Sequence, residues 1–281
     1  MGVTVQEIQN KKLRGEPVVM LTCYDFPTAV IQDASGVDII FVGDSVGPNI
    51  LGYRSMDEVT MDDMLHHLRA VRRGVGRALL LVDMPYGSYE SCQIAVENAK
   101  RFLREGADAV KLEGGQEVLD QIKALREEGI EVCGHIGFTP QSAGLKGRVV
   151  GKTYEEARRL LEDAKALDSC GIFALVLELV PEELSRHIAR TCKAVVIGIG
   201  SGRGLDGEVQ VVTDILGITP REFRHTKRFT NLGDEMRRAI TTYVREVKSR
   251  SFPEERNVSH LPPEVYDKLI LEGVLKPECK R

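Results

Sequence analysis

Ala78-Leu79-Leu80-Leu81-Val82-Asp83-Met84-Pro85 is the stretch that decides how this chain folds. Five apolar residues in a row, without alternation, describe a strand covered on both faces, as in parallel sheets. Pro85 stops that strand and fixes the turn. Asp83 stands between the two, and a carboxylate at the carboxyl end of a buried strand is not there for packing. The figure recurs along the chain. Ile39-Ile40-Phe41-Val42-Gly43 runs into Asp44, Ala109-Val110-Lys111-Leu112 into Glu113, and Ala174-Leu175-Val176-Leu177 into Glu178. Asp83 follows Asp44, and Glu113 follows Asp83, by about one βα unit, roughly 30–40 residues. If these strands are parallel neighbours, their acids converge on one rim.

Working outward, strands are predicted at Val18–Thr22, Ile39–Val42, Leu79–Asp83, Ala109–Leu112, Glu131–His135, Ala174–Leu177 and Val195–Ile199, with a weak eighth at Val209–Val212. Amphipathic stretches separate them. Ile94, Val96, Ala99, Phe102 and Leu103 fall on one helical side before Gly106, and Leu160, Leu161, Ala164 and Leu167 repeat the pattern before Gly171. The class is α/β, and the count of βα units fits a (β/α)₈ TIM barrel. A doubly wound open sheet is the competitor. It expects a glycine-rich turn after the first strand, and Thr22-Cys23-Tyr24-Asp25-Phe26-Pro27 is not one. No linker divides the chain, so residues 1–281 read as one domain with a basic, helical C-terminal extension from about Arg221. The tail from Ser251 to Arg281 is expected outside the barrel or on a neighbouring subunit.

Composition narrows the function. With 42% hydrophobic and 28% charged residues, the chain can bury a core and remain soluble. A formal net charge of −4 argues against a duplex nucleic acid partner. No apolar run approaches the roughly 20 residues needed to span a bilayer. The N-terminus carries no apolar leader, so a cytoplasmic protein is expected. The six cysteines (Cys23, Cys92, Cys133, Cys170, Cys192 and Cys279) form no C-x-x-C pair and read as buried free thiols. The absence of Trp, with Glu155 and Glu156 close to Arg158 and Arg159, would suit a thermophile.

The acids carry the chemistry. Asp44, Asp83 and Glu113, hard oxygen donors on successive strand ends, favour Mg²⁺ over Zn²⁺, whose Cys/His spacing is absent. Asp44 and Asp83 each also read as a turn or helix cap when taken alone. Ser45 adds a hydroxyl after Gly43-Asp44. Lys111 and Glu113 are two apart in a strand and point the same way, so they meet either a ligand or each other as a buried pair. His135 lies at a strand end, where a neutral imidazole can donate to a substrate oxygen or accept from a carboxyl. The turn Thr139-Pro140-Gln141-Ser142 after it has the position of a lid. A carboxyl against apolar walls, as Glu178 is, serves as a proton acceptor near neutral pH. Gly198-Ile199-Gly200-Ser201-Gly202 could hold an anion through backbone amides, but it lacks the Lys and hydroxyl of a phosphate loop.

From about Val18 to Leu261 the chain resembles the ketopantoate hydroxymethyltransferase (3-methyl-2-oxobutanoate hydroxymethyltransferase) family. The resemblance rests on Leu21-Thr22-Cys23-Tyr24-Asp25, Val42-Gly43-Asp44-Ser45-Val46-Gly47, Asp83-Met84-Pro85, Val110-Lys111-Leu112-Glu113-Gly114-Gly115 and Cys133-Gly134-His135-Ile136-Gly137. It continues with Thr139-Pro140-Gln141-Ser142, Leu177-Glu178, Ile197-Gly198-Ile199-Gly200-Ser201-Gly202, Asp206-Gly207 and Asp214-Ile215-Leu216-Gly217. It implies a (β/α)₈ barrel of the phosphoenolpyruvate/pyruvate superfamily. The implied enzyme transfers a hydroxymethyl unit from 5,10-methylenetetrahydrofolate, or a modified folate, to 3-methyl-2-oxobutanoate, giving 2-dehydropantoate for pantothenate and coenzyme A. It further implies Asp44, Asp83 and Glu113 on Mg²⁺, Ser45 and Lys111 on the keto acid, Glu178 as proton acceptor, and a homo-oligomer, commonly a decamer. Two departures stand out. Ala143 to Gly151 replaces the family's usual Gly-Gly-Tyr-Lys-Val-Gln-Gly stretch, and Ser201 stands where Ala is usual. The rival readings are another Mg²⁺-dependent enolate enzyme on the same barrel and a non-catalytic metabolite-binding barrel, which needs no base at Glu178.

Overall fold

Each apolar run forms a strand, and the eight strands close on one another. The computed structural model describes residues 2–144, 147–219 and 223–276. In chain order the elements begin with α1 (Val5–Arg14), β1 (Val18–Thr22), α2 (Phe26–Ala34), β2 (Ile39–Val42), α3 (Met61–Arg72) and β3 (Leu79–Asp83). They continue with α4 (Cys92–Arg104), β4 (Ala109–Glu113), α5 (Leu119–Glu127), β5 (Val132–Gly137), the short α6 (Pro140–Ala143) and α7 (Tyr154–Ser169). Then come β6 (Ala174–Glu178), α8 (Glu182–Thr191), β7 (Val195–Ile199), β8 (Gly207–Gln210), α9 (Val212–Ile215), α10 (Leu232–Ser249) and α11 (Pro263–Leu271). Every strand pairs in parallel with its neighbours in sequence, and β1 pairs with β8, which makes a closed barrel. The open doubly wound sheet is thereby excluded.

Strand alternation sorts the core into two layers. Ile39, Phe41, Leu79, Leu81, Ala109, Cys133, Ala174, Val176, Val195 and Ile197 fill the inside of the barrel. Their neighbours Ile40, Val42, Leu80, Val82, Val110, Leu112, Leu175, Leu177 and Val196 pack outward under the helices. Burying each such side chain is worth about 1.5–3 kcal/mol. The inward parity of Leu79 and Leu81 continues to Asp83, that of Ala109 to Lys111 and Glu113, that of Cys133 to His135, and that of Val176 to Glu178. The polar residues are thus the uppermost layer of the barrel's own interior. Ile8 of α1 is fully buried in the same inner cluster and stops its lower end.

Carboxylates also rim that lower end. Asp38, Asp108 and Asp206 stand immediately before β2, β4 and β8. Each accepts a backbone N–H from the preceding strand: Val19 at 2.9 Å, Leu80 at 2.8 Å and Val196 at 2.8 Å. Lys11 and Lys12 of α1 pair with Asp38 and Asp206 at 2.9 and 2.8 Å.

Some expectations need adjusting. The eighth strand is Gly207–Gln210, and Val212 opens α9 instead. Ile94 is not on the core side of α4, which buries Ala95, Ala99 and Phe102. The chain divides into two compact units between Asn231 and Leu232; Arg221, about which the helical extension was expected to begin, lies outside the described residues. The second unit holds α10, α11 and a 3₁₀ turn at Glu255–Asn257, with the rings of Tyr243 and Phe252 in edge contact. Of the cysteines, Cys23, Cys133 and Cys192 are buried, Cys92 and Cys170 are half-buried, and all five are free; Cys279 lies outside the described residues. Arg158 pairs with Glu162 and Arg148 with Glu156, rather than within the Glu155–Arg159 cluster.

Candidate active site

Register brings the charged groups together. Asp83 lies opposite Lys111 across β3 and β4, and Glu113 lies opposite His135 across β4 and β5. The Lys111 ammonium sits 2.5 Å from Asp83 Oδ1, so the cross-strand neighbour takes it rather than Glu113 two residues along. The same ammonium lies 5.3 Å from the centre of the Phe41 ring, the top of the inner apolar layer. Asp44, past the end of β2, donates its backbone N–H to Asp83 Oδ2 at 3.0 Å. Ser45 follows, its hydroxyl 2.8 Å from that of Tyr24. A π-helical turn over Gly47–Leu51 carries the chain away, a conformation frequent beside functional residues. Asp44, Ser45, Asp83, Lys111, Glu113 and His135 are all buried.

The electrostatics is uneven. Burial pushes the Asp44 carboxyl well above its ordinary range, and the Asp83 and Glu113 charges push it further. Burial also raises Asp83, against the pull of Lys111. Glu113 goes the other way: His135 and Lys111 outweigh its burial and hold it low. Burial and Lys111 both oppose a proton on His135, but Glu113 at 3.1 Å and Glu178 at 3.4 Å carry its pKa to about 9. The two carboxylates thus favour the protonated ring. Lys111 is raised by its three acids in spite of burial and keeps its charge.

Glu178 enters from β6 on the far side of His135, its side chain 20% exposed. The next residue, Leu179, has a φ of 51°, the left-handed region that a leucine rarely adopts. Its N–H donates to Ile199 O and its carbonyl accepts from Val150 N, both at 2.9 Å, so both sides hold it there. Phe138 N donates to Glu178 O at 2.8 Å across Gly137, where any Cβ would run into that carbonyl. Ser201 completes the clamp. Its hydroxyl donates to Leu177 O at 2.6 Å and accepts from Val180 N at 3.2 Å. Ser201 thus pins the turn that carries Glu178. The glycines around it shape that turn, and Gly200 lines the cavity.

One cavity of about 540 Å³ opens over these groups, with Asp44, Asp83, Lys111, Glu113, His135 and Glu178 in its lining. Sequence reasoning missed part of its wall. Leu179, Arg148, Phe223, Arg224 and His225 line it as well, with the rings of Phe223 and His225 stacked at 5.5 Å. Of the 143–151 loop, Gly147, Arg148 and Val149 reach the cavity, while Leu145 and Lys146 lie outside the described residues.

The donors suit a hard cation. They are carboxylates lining one cavity, with the Lys111 ammonium 2.5 Å from Asp83 Oδ1. Among the described residues no three His, Cys, Asp or Glu side chains are arranged to hold an ion by themselves. Both Glu113 oxygens already accept hydrogen bonds, from His135 and from Gln141 N. That fits Mg²⁺, which commonly takes one or two carboxylates and completes its shell with water and substrate oxygens.

Known proteins agree with this architecture. Residues 2–255 match the family described as ketopantoate hydroxymethyltransferase. The chain is 47% identical over 266 residues to 3-methyl-2-oxobutanoate hydroxymethyltransferase of Roseiflexus sp. (strain RS-1), covering 93% of this chain and 95% of that one. It is 47% identical over 256 residues to the protein of the same name from Ignicoccus hospitalis, covering 90% and 97%. In fold it is similar to 2,3-dimethylmalate lyase, a PEP mutase/isocitrate lyase superfamily member, with a TM-score of 0.56 at 13% identity over 98% of each chain. Phosphonopyruvate hydrolase superposes with a TM-score of 0.58 at 12% identity, over 98% of this chain and 96% of that one. The chain belongs to the ketopantoate hydroxymethyltransferase family and is a hydroxymethyltransferase enzyme by class.

Proposed function

We propose that the protein transfers a one-carbon unit from 5,10-methylenetetrahydrofolate, or a modified folate, to 3-methyl-2-oxobutanoate, giving 2-dehydropantoate in the route to pantothenate and coenzyme A. The observation that carries this reading is the division of charge around one cavity. Asp44, Asp83, Glu113 and Lys111 are buried together on one side, while Glu178 faces it from beyond His135 and is partly open.

Asp44 and Asp83, with Glu113 beside them, are the residues that would hold Mg²⁺. When bound, the ion supplies Lewis-acid stabilisation of negative charge on the keto oxygen. Lys111 and Ser45 bind and orient the 2-oxo acid, Lys111 by its charge and Ser45 by its hydroxyl. His135 sits between Glu113 and Glu178, hydrogen-bonded to Glu113 at 3.1 Å and 3.4 Å from Glu178. Glu178 takes the C3 proton of the keto acid. Over the whole reaction, a C–C bond replaces one C–N bond of the donor and a water-derived C–O bond replaces the other. The two folate nitrogens receive the C3 proton and one proton of water.

The free state of the five described cysteines supports a reducing cytoplasm as the compartment. No described helix is long and apolar enough to cross a membrane. A homo-oligomer is part of the proposal, supported by Met236, Ile240, Tyr243 and Val244, exposed apolar residues at helical spacing on α10. The test of activity is a mixture of 3-methyl-2-oxobutanoate, methylene donor and Mg²⁺, with product followed by mass. A product heavier by one hydroxymethylene unit, lost on chelation, is expected. Turnover unaffected by chelation would remove the metal from the reading, and no product with either folate type would remove the reaction.

A further inference from the structure

We propose that Gln141, held in turn by Tyr89, is the positioning residue that sets Asp44 and Glu113 for cation binding. The inference rests on the metal reading given above. Gln141 belongs to the turn after β5, yet its contacts are with the ends of β2, β3 and β4. Its Nε2 donates to Asp44 Oδ2 at 2.8 Å and to the Met84 carbonyl at 3.0 Å. Its backbone N–H donates to Glu113 Oε2 at 3.1 Å. Its Oε1 accepts from the Tyr89 hydroxyl at 2.5 Å. One residue therefore grips two of the three buried acids through two different groups.

The orientation of the amide follows from its neighbours. Turned over, its oxygen would face a carbonyl and a carboxylate with no proton between them. Tyr89 then matters because its O–H meets that amide oxygen at 2.5 Å, against 3.4 Å to its other acceptor, the Glu113 backbone carbonyl. With Gln141 only 5% exposed, water cannot stand in for the lost donors. Asp44 Oδ2 and Glu113 Oε2 are thereby spoken for, and each acid's rotamer is fixed before any ion arrives. Groups that orient metal-binding side chains in this way typically change affinity by about 10–100-fold when lost.

The test is Mn²⁺ or Mg²⁺ titration of the full protein by calorimetry, without substrate. Gln141→Met, which keeps the volume and removes the amide, is expected to weaken binding about 10–100-fold. Tyr89→Phe touches neither acid's side chain and is expected to weaken it less, in the same direction. The two losses should not add in the double variant, because Tyr89 acts through Gln141. Wild-type affinity in both single variants, with binding abolished in Asp44→Asn, overturns the positioning role and leaves the metal reading intact. Wild-type affinity in Asp44→Asn and Asp83→Asn as well, or no binding to the wild-type protein, overturns both. Should Gln141→Met fail to fold, Tyr89→Phe decides alone, and unchanged affinity there counts against the proposal.

Discussion

The two ends of the barrel carry the same residue type and use it oppositely. At the lower end, Asp38, Asp108 and Asp206 precede their strands and accept backbone N–H groups, with lysines from α1 beside two of them. At the upper end, Asp83, Glu113 and Glu178 close theirs, and they meet one another, Lys111 and His135. The lower acids complete the backbone's own hydrogen bonding, which is a contribution to stability. The upper acids crowd together under burial, so Asp44 and Asp83 are driven up in pKa, a pattern that clusters at functional sites. An acid before a barrel strand and an acid after one are different statements about the molecule.

Substitutions can break that contrast. The largest effect is expected at Glu178→Gln, which should slow exchange of the keto acid's C3 proton by about 10²–10⁴-fold. Proton exchange by NMR in deuterated buffer measures it, and substrate binding should change little. Exchange at the wild-type rate removes Glu178 from the base role.

Lys111→Met should come next, now in stability. It leaves buried acids without their cation, a loss of about 3–5 kcal/mol by denaturant unfolding of metal-free protein. The sign of the pH effect is fixed. Asp44 and Asp83 lie above their unfolded values, so the penalty shrinks as pH falls through the folded values toward 3.8. His135 supplies the control. Raised from 6.5 to about 9, it adds stability fully present below 6.5 and lost as pH rises through 9, and His135→Phe should flatten that loss. A Lys111→Met protein equally destabilised at every pH would contradict the crowding of acids.

The smallest effect belongs to the lower rim. Asp108→Ala strands the buried Leu80 N–H and should cost about 1–3 kcal/mol, read as a lowered melting temperature. Turnover per folded molecule should stay at the wild-type value. A loss of turnover there would erase the distinction between the two ends.

β2 to β7 were readable because both of their faces are covered, which leaves runs that are almost wholly apolar. β8 resisted for the opposite reason. Only Val209 of Gly207-Glu208-Val209-Gln210 is buried, and the strand is held by pairing with β1 and β7. The acids were readable because each interrupts an apolar parity. Their pairing was not: the choice of Asp83 by Lys111 depends on register between strands, which one sequence does not display. Gln141 was visible only as part of a turn, since its partners come from β2, β3 and β4 and from Tyr89. Leu179 gave no signal, because nothing in Leu177-Glu178-Leu179-Val180 announces a left-handed backbone.

Leu179 has a bearing on any attempt to make this protein sturdier. Glycine in that backbone conformation would be more comfortable by about 1 kcal/mol, which makes Leu179→Gly a tempting substitution. The leucine side chain, however, packs against Gly147 and Gly200 and forms part of the wall beside Glu178. Removing it forfeits packing worth about 2 kcal/mol or more, which outweighs the backbone relief. At this position, hardiness and the shape of the cavity rest together on a single isobutyl group.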